Sequence, residues 1–398
     1  MSDRHWIAQR ARELTEDLTR WRRHLHMHPE PSMQEHQTAA YVVEQLRAMG
    51  VQEIHEGVGE TGVVAILRGS GERCVGLRAD MDALELTEQT GAEYASCNEG
   101  LMHACGHDAH TACLLGAAAI LHGMGEGLPG IVKLIFQPGE EGSAGALRMI
   151  EDGCLLDPTP EAIFAQHVQP ELPQGTIGLT RGFVTAQSDS LRLAIIGEAA
   201  HAARPHQGTD AISIAAQAIV MTQQFVARCT DPLHRKVVTF GTIHGGTRRN
   251  ILADRVELVG TVRTYESETR EAIIDFIGNR LRTLVAELGG RLEAEITDGY
   301  PALQNDDGVL NCVWDATREV LGEECAVEMP YPSMGAEDFA FFPVVGRVPV
   351  AMTRLGTRDE QSGFVNAVHT THFDLNDAVV LPTGAAVYAN SALRLLQR

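Results

Sequence analysis

Lysine is nearly missing from this sequence of 398 residues, with only Lys133 and Lys236 present against 30 arginines. Such a skew points to GC-rich coding of the bacterial kind. Positive charge is short overall, because 32 basic residues face 53 acidic ones for a formal charge of -21. That balance repels phosphate backbones and anionic membrane surfaces, which argues against nucleic acid and membrane as partners. No apolar run reaches the roughly 18 residues of a membrane span. The first thirty residues hold no apolar signal core. The eight cysteines fall in no CxxC pair and no repeated spacing, so a reduced, cytoplasmic chain is expected. Internal repeats and low-complexity tracts are absent as well.

What is present is an ordinary globular composition, 44% hydrophobic and 21% charged, in a chain longer than one hydrophobic core usually organises. Two domains are therefore expected. Apolar periodicity predicts one helix over residues 3–25 and another over 33–49. Short apolar runs predict strands at 63–67, 74–78, 131–136 and 162–167, with helices at 111–121 and 144–151 between them. This alternation reads as an α/β sheet with helices on its faces. From residue 184 to 298 the pattern becomes strand, helix, strand, strand, helix, strand, the β-α-β-β-α-β order of a ferredoxin-like domain. The α/β pattern then resumes, with a helix near 308–321, a strand near 348–353 and a last helix from residue 377. A discontinuous catalytic domain (1–183 and 299–398) carrying an inserted ferredoxin-like α+β domain (184–298) is the simplest account.

The 17 histidines are the one compositional excess, and histidine is the side chain most used for metals and for proton transfer near neutral pH. Several fall in one segment, His103-Ala104-Cys105-Gly106-His107-Asp108-Ala109-His110. Cys105 and His107 stand two apart before a helix, so a thiolate and an imidazole can converge on one cation across the small Gly106. Asp80 and Asp82 end an apolar strand, a usual place for ligand sites in α/β folds. Glu140 and Glu141, flanked by glycines directly after the 131–136 strand, can divide labour between metal ligand and free general base. His167 closes another strand, and His369 and His372 lie in a loop before the last helix. A single structural zinc takes four ligands and leaves several of these donors unused. Two metals sharing a bridging ligand use nearly all of them.

These segments, together with Trp21-Arg22-Arg23-His24-Leu25-His26, Pro205-His206, Gly260-Thr261-Val262-Arg263-Thr264 and Met334-Gly335-Ala336-Glu337-Asp338-Phe339, resemble the M20 metallopeptidase family over nearly the whole chain. The resemblance is to its amidohydrolase branch of aminoacylases, hippurate hydrolases and auxin-conjugate hydrolases. It implies two divalent ions, zinc or manganese, held by Cys105, His107, Glu141, His167 and His369, and cleavage of N-acyl amino acids by a metal-bound hydroxide with Glu140 as general base. His369 rather than His372 matches the ligand, by its distance from Phe373-Asp374. Asp82 takes a supporting catalytic role beside the metals. His206, for the transition state, and Asn250 match polar residues that reach the active site across a homodimer interface formed by the inserted, lid-like domain. Arg263 matches a grip on the substrate carboxylate, and Gly335 a position beside the substrate. Three departures stand out: Glu85 and Thr371 where the family has proline, and Glu198-Ala199-Ala200-His201-Ala202 where relatives carry more glycine.

Rival readings remain on the same residues. A dipeptidase or a small aromatic-acid deaminase could use the same metal pair. A phosphohydrolase would want a basic cluster that the motif segments lack beyond Arg78. A binding protein of the same fold would have no need of the paired glutamates.

Overall fold

The computed structural model describes residues 3–398, and the chain divides into two compact units. The first comprises Met1–Val184, Gln304–Pro332 and Asp338–Arg398, and the second Thr185–Leu303 with the short segment Ser333–Glu337.

The first unit is built on an eight-stranded mixed sheet. Its spatial order is Glu53–Val58, Gly62–Arg68, Ile131–Gln137, Cys74–Asp80, Ile163–Pro173, Val350–Arg358, Ile177–Leu179 and Ala326–Glu328. The four central strands from Ile131–Gln137 to Val350–Arg358 run parallel. They are buried on both faces, which is why they read as continuous apolar runs rather than as alternation. Register then decides where the polar ends fall. Asp80 pairs with Gln137, and Arg78 with Ala165, so the carboxyl ends of three neighbouring strands deliver Asp80, the Glu140-Glu141 turn and His167 to one edge.

Helices His107–His122 and Asp377–Leu396 pack on each other, and the second also packs on Asp307–Leu321. Asp377–Leu396 is 20 residues long and apolar enough to cross a membrane by length and composition, but 89% of its most apolar window is buried inside the protein. It is a core helix.

Two predicted elements differ in detail. The helix expected over residues 3–25 is two helices, Asp3–Glu13 and Thr15–Met27, because Leu14 leaves helical geometry at ψ 2°. The helix expected from residue 111 begins at His107, since the polar but buried His107, Asp108 and His110 hide its first turn from an apolar-periodicity reading.

The second unit is a four-stranded antiparallel sheet in the order Arg291–Asp298, Gln187–Ile196, Arg255–Thr264, Lys236–Gly245. Helix Ala211–Arg228 follows its first strand, and a helix interrupted by a π-turn at Phe276–Arg280 follows its third. Leu191, Leu193, Ile195, Val256 and Leu258 pack with Ile214, Phe225, Ile273 and Ile277 into a separate core. The strand Lys236–Gly245 is paired on one side only.

Candidate metal centre

Asp82 organises the polar edge of the first unit. It is fully buried two residues beyond the strand Cys74–Asp80. Its carboxylate accepts hydrogen bonds from the backbone N–H of Glu140 (3.1 Å) and Glu141 (2.9 Å) and from Ser32 Oγ (2.6 Å). The same carboxylate takes a bond from His107 Nδ1 (3.1 Å), while the Asp82 carbonyl accepts a second at 2.9 Å. Burial alone would raise the Asp82 pKa, but these donors, His107 foremost, hold it below the usual carboxylate range. One side chain thus fixes both the glutamate turn and the ring of His107. With Nδ1 committed to Asp82, His107 Nε2 is buried and has no hydrogen-bond partner, the orientation of a metal-binding histidine whose other nitrogen is tied to a carboxylate.

Around that nitrogen the donors close in two overlapping groups. Cys105, His107 and His167 form one and Cys105, Glu141 and His369 the other, each with its donor atoms within 4.8 Å of one another. Cys105 Sγ stands 3.3 Å from both His167 Nε2 and His369 Nε2, and His369 Nε2 lies 3.2 Å from Glu141 Oε1. Glu140 joins His107 and Glu141 in a third such group. His372 is exposed, belongs to none of these groups and pairs with Thr371 Oγ1 at 2.9 Å.

Local backbone makes this convergence possible. Gly106 has φ 81°, and a Cβ there would meet Val168 Cγ2 at 2.6 Å, so only glycine lets Cys105 and His107 turn toward the same point. His369 also sits in the left-handed region at φ 61°, where its N–H donates to Ala104 O at 2.8 Å. A strained non-glycine residue at a cluster of donors is the pattern of a functional site.

The protonation preferences fit a cation. Burial pushes the Cys105 thiol up to about 12, so it needs a neighbouring positive charge to become a thiolate. Burial also works against a charged His107, but Asp80, Cys105 and Asp82 outweigh it and raise its pKa well above the ordinary imidazole value. The pocket therefore attracts positive charge to that nitrogen. His167 is held neutral, well below its ordinary value, by burial and by the neighbouring His110 and Arg354. Its Nδ1 donates to Val168 O at 2.8 Å, which frees Nε2.

Residues outside the expected ligand set support the centre. Asp80 Oδ1 accepts from His110 Nδ1 at 2.5 Å, and His110 Nε2 accepts the backbone N–H of Val168 at 2.8 Å, so this pair braces the residue after His167. Arg78 ties Asp80 (2.8 Å) to Asp338 (3.1 Å) and Gln137 (2.7 Å), all buried. Glu35 accepts from Gly139 N at 2.8 Å and supports the glutamate turn from below. Asp80 was legible as a strand-end carboxylate, and Arg78 stands two residues before it on the same strand; its bonds to Gln137 and Asp338 were not. Nothing local marks Glu35.

The N-terminal histidines separate. His24 stacks on Tyr41 with ring centroids 3.8 Å apart, and His28 Nδ1 donates to His24 O. His26 is fully buried between Asp108 Oδ2 (2.8 Å) and Glu88 Oε1 (3.2 Å). Burial and Arg22 oppose its protonation, yet Asp108 and Glu88 hold its pKa up at about 9. Because that folded value lies above the ordinary 6.5, the stabilisation is fully present below pH 6.5 and is lost as pH rises through about 9. Burial would raise Glu88, but His26, Ser96 and Thr90 draw it down to about 2, so its share is present above pH 4.5 and is lost as pH falls toward 2. Melting temperature is expected to decline between pH 6.5 and 9, and His26→Gln to flatten that decline. A parent protein whose melting temperature is constant across the window would contradict the assignment.

The other sequence candidates lie on the second unit. His206 is exposed in the turn Pro205–Gln207. Asn250 is exposed in the loop before Arg255–Thr264, its carbonyl accepting from Ala202 N at 3.0 Å. Arg263 is half-buried on that strand. Gly335 belongs to Ser333–Glu337, its carbonyl accepting from Ala186 N at 2.8 Å. The donor cluster of the first unit is assembled from the first unit's own residues.

Comparison with known proteins matches residues 76–394 to the peptidase family M20/M25/M40. An N-acetyl-L-cysteine deacetylase of Bacillus subtilis is 38% identical over 384 residues, covering 96% of this chain and 89% of its own. An N-acyl-L-amino acid amidohydrolase of Geobacillus stearothermophilus is 38% identical over 305 residues, 76% of this chain and 82% of its own. Among solved structures, a dinuclear metal binding peptidase of the M20 family from Bacillus subtilis superposes with a TM-score of 0.83 at 31% identity, covering 97% of this chain and 99% of that one.

Proposed function

The chain belongs to peptidase family M20/M25/M40 and is an amide-cleaving hydrolase; from that premise we propose that it hydrolyses N-acyl amino acids at a centre where Cys105, His107, Glu141, His167 and His369 would hold two divalent cations. The observation that carries the reading is the position of Cys105 Sγ, 3.3 Å from two histidines that belong to different donor groups and common to both groups. His107 and His167 complete one position, Glu141 and His369 the other. A set of one thiolate, three imidazoles and a carboxylate suits zinc on softness and accepts manganese.

Cations held there would supply Lewis-acid polarisation of the amide carbonyl and lower the pKa of water. The remaining steps belong to the protein. Glu140, buried beside His107 and Glu141 and held through its own N–H by Asp82, takes the proton of that water. It then delivers the proton to the nitrogen of the departing amino acid, base and acid in turn. Asp82 keeps the His107 ring and the glutamate turn in register throughout. On the second unit, Arg263 is assigned to the substrate carboxylate, with Asn250 and Gly335 beside it, and His206 to the developing oxyanion.

We assign the working form as a homodimer through the second unit. The single-sided strand Lys236–Gly245 exposes Val237 and Ile243, and the helix beside it exposes Ile212 and Val220, an edge that a second copy can cover. All eight cysteines are free, which suits the reducing cytoplasm.

A panel of N-acetyl and N-benzoyl amino acids and dipeptides, run on cation-loaded protein, tests the function. Turnover of the N-acyl substrates is expected, and cleavage of dipeptides alone would overturn the substrate assignment. Sedimentation of the active form tests the dimer, since a fully active monomer would remove any need for a second subunit.

A further inference from the structure

Arg22 is fully buried, and each of its nitrogens meets a different carboxylate. Nε donates to Asp108 Oδ2 at 2.7 Å and Nη1 to Asp377 Oδ1 at 3.0 Å, while Nη2 lies 2.8 Å from Asp374 Oδ1. These acids stand in two separate segments of the chain. Asp108 directly follows His107 in the first turn of its helix. Asp374 lies five residues after His369, and Asp377 opens the helix that ends the same loop. The far end of Asp374 is closed by Tyr94 Oη at 2.7 Å, and the far end of Asp377 by Arg23 Nε at 2.7 Å.

Besides the donor contact between His369 and Cys105, the loop bearing His369 is held toward the His107 segment at two points. One is the bond from His369 N to Ala104 O, and the other is the guanidinium of Arg22. The first holds a residue at φ 61°, which does not keep that conformation unaided. We propose that Arg22 is a positioning residue that sets the spacing between the His107 and His369 segments and so fixes the cation affinity of the centre. The inference rests on the reading of these histidines as ligands. A guanidinium spreads its donors over three nitrogens in a fixed plane and so sets the spacing of three carboxylates; an ammonium has three donors on one nitrogen and supplies the charge without that spread. Residues that orient ligands typically contribute 10–100-fold in metal affinity.

The experiment is a titration of the cation-free protein with cobalt(II) alone, reading stoichiometry, affinity and the thiolate-to-cobalt absorption. Arg22→Lys retains the charge, and Asp374→Asn relaxes one arm only, in case the first variant fails to fold. Asn390→Ala serves as control, because it removes a buried bond to Ala316 O in the same unit, away from the donors. Both test variants are expected to bind cobalt at least about 10-fold more weakly, with an altered absorption band. At saturating cation, kcat should fall while KM stays within about twofold. Asn390→Ala should bind as the parent does, whatever its melting temperature. Parental affinity and absorption in Arg22→Lys and Asp374→Asn, or a loss no larger than in the control, would overturn the proposal. A parent protein that takes up no cobalt would instead overturn the reading of the centre itself, and this inference with it.

Discussion

Replacing Glu140 with glutamine is expected to lower kcat by about 10²–10⁴-fold while the protein retains its full complement of divalent cations. The amide has nearly the same volume as the carboxylate and leaves the backbone N–H of residue 140 bound to Asp82 at 3.1 Å, so the turn should not move. What is lost is the only change the substitution makes in chemistry, the ability to hold a proton and give it back. Glu141, one residue on, is committed to the donor group of Cys105 and His369 and cannot take over without leaving it. Elemental analysis beside steady-state kinetics separates the two roles. Near-normal turnover at full cation loading would show that another group accepts the proton, whereas loss of cations with activity would place Glu140 among the ligands. A companion substitution, Glu141→Gln, should show the opposite pattern, with cation content falling first.

The contrast between the two glutamates shows what could be read from sequence and what could not. Cys105, Gly106 and His107 are local in the chain, and so are Glu140 and Glu141; their chemistry is visible because short spacing after an apolar run already fixes where they emerge. The mixed α/β architecture was legible for the same reason, since strands buried on both faces leave continuous apolar runs such as 131–136. The bracing of the centre was not. Arg22 and Asp377 are 355 residues apart, Arg78 and Asp338 260, and Glu35 and Gly139 104. No periodicity links such pairs. Polar residues inside a helix are equally silent: His107 to His110 are buried to a residue, yet on a hydropathy reading they mark the end of a loop rather than the first turn of a core helix. The break at Leu14 escaped because the apolar stripe runs through it unchanged, with Ile7, Ala11, Leu14 and Leu18 all buried.

Removal of Cys105 should have the second large effect, and on both cations together. In Cys105→Ala the two donor groups that share the thiol would each keep two of their three members, His107 with His167 and Glu141 with His369. Affinity is expected to fall by more than the roughly 10–100-fold that loss of an orienting partner costs. Alanine fits the space, since Cys105 is 5% exposed and its neighbour Ala104 is already fully buried, so the fold should survive. Other buried thiols offer the comparison. Cys113, whose Sγ bonds Leu381 O between two core helices, has no donor group, and Cys113→Ala should keep parental cation content. Stability supplies an independent reading. A cation at about 100 times its dissociation constant stabilises the folded state by about 2.7 kcal/mol, so a chelator should lower the parent's melting temperature and leave that of Cys105→Ala unchanged. If only one cation were lost from Cys105→Ala, with the other bound at parental affinity, the thiolate would belong to a single position and the shared-ligand geometry would fail. The burial that pushes this thiol up to about 12 adds a consequence for pH. Cation uptake must displace its proton, so the parent's affinity should rise with pH across the neutral range, by more than in a Cys105→Ala protein that has no such proton to lose.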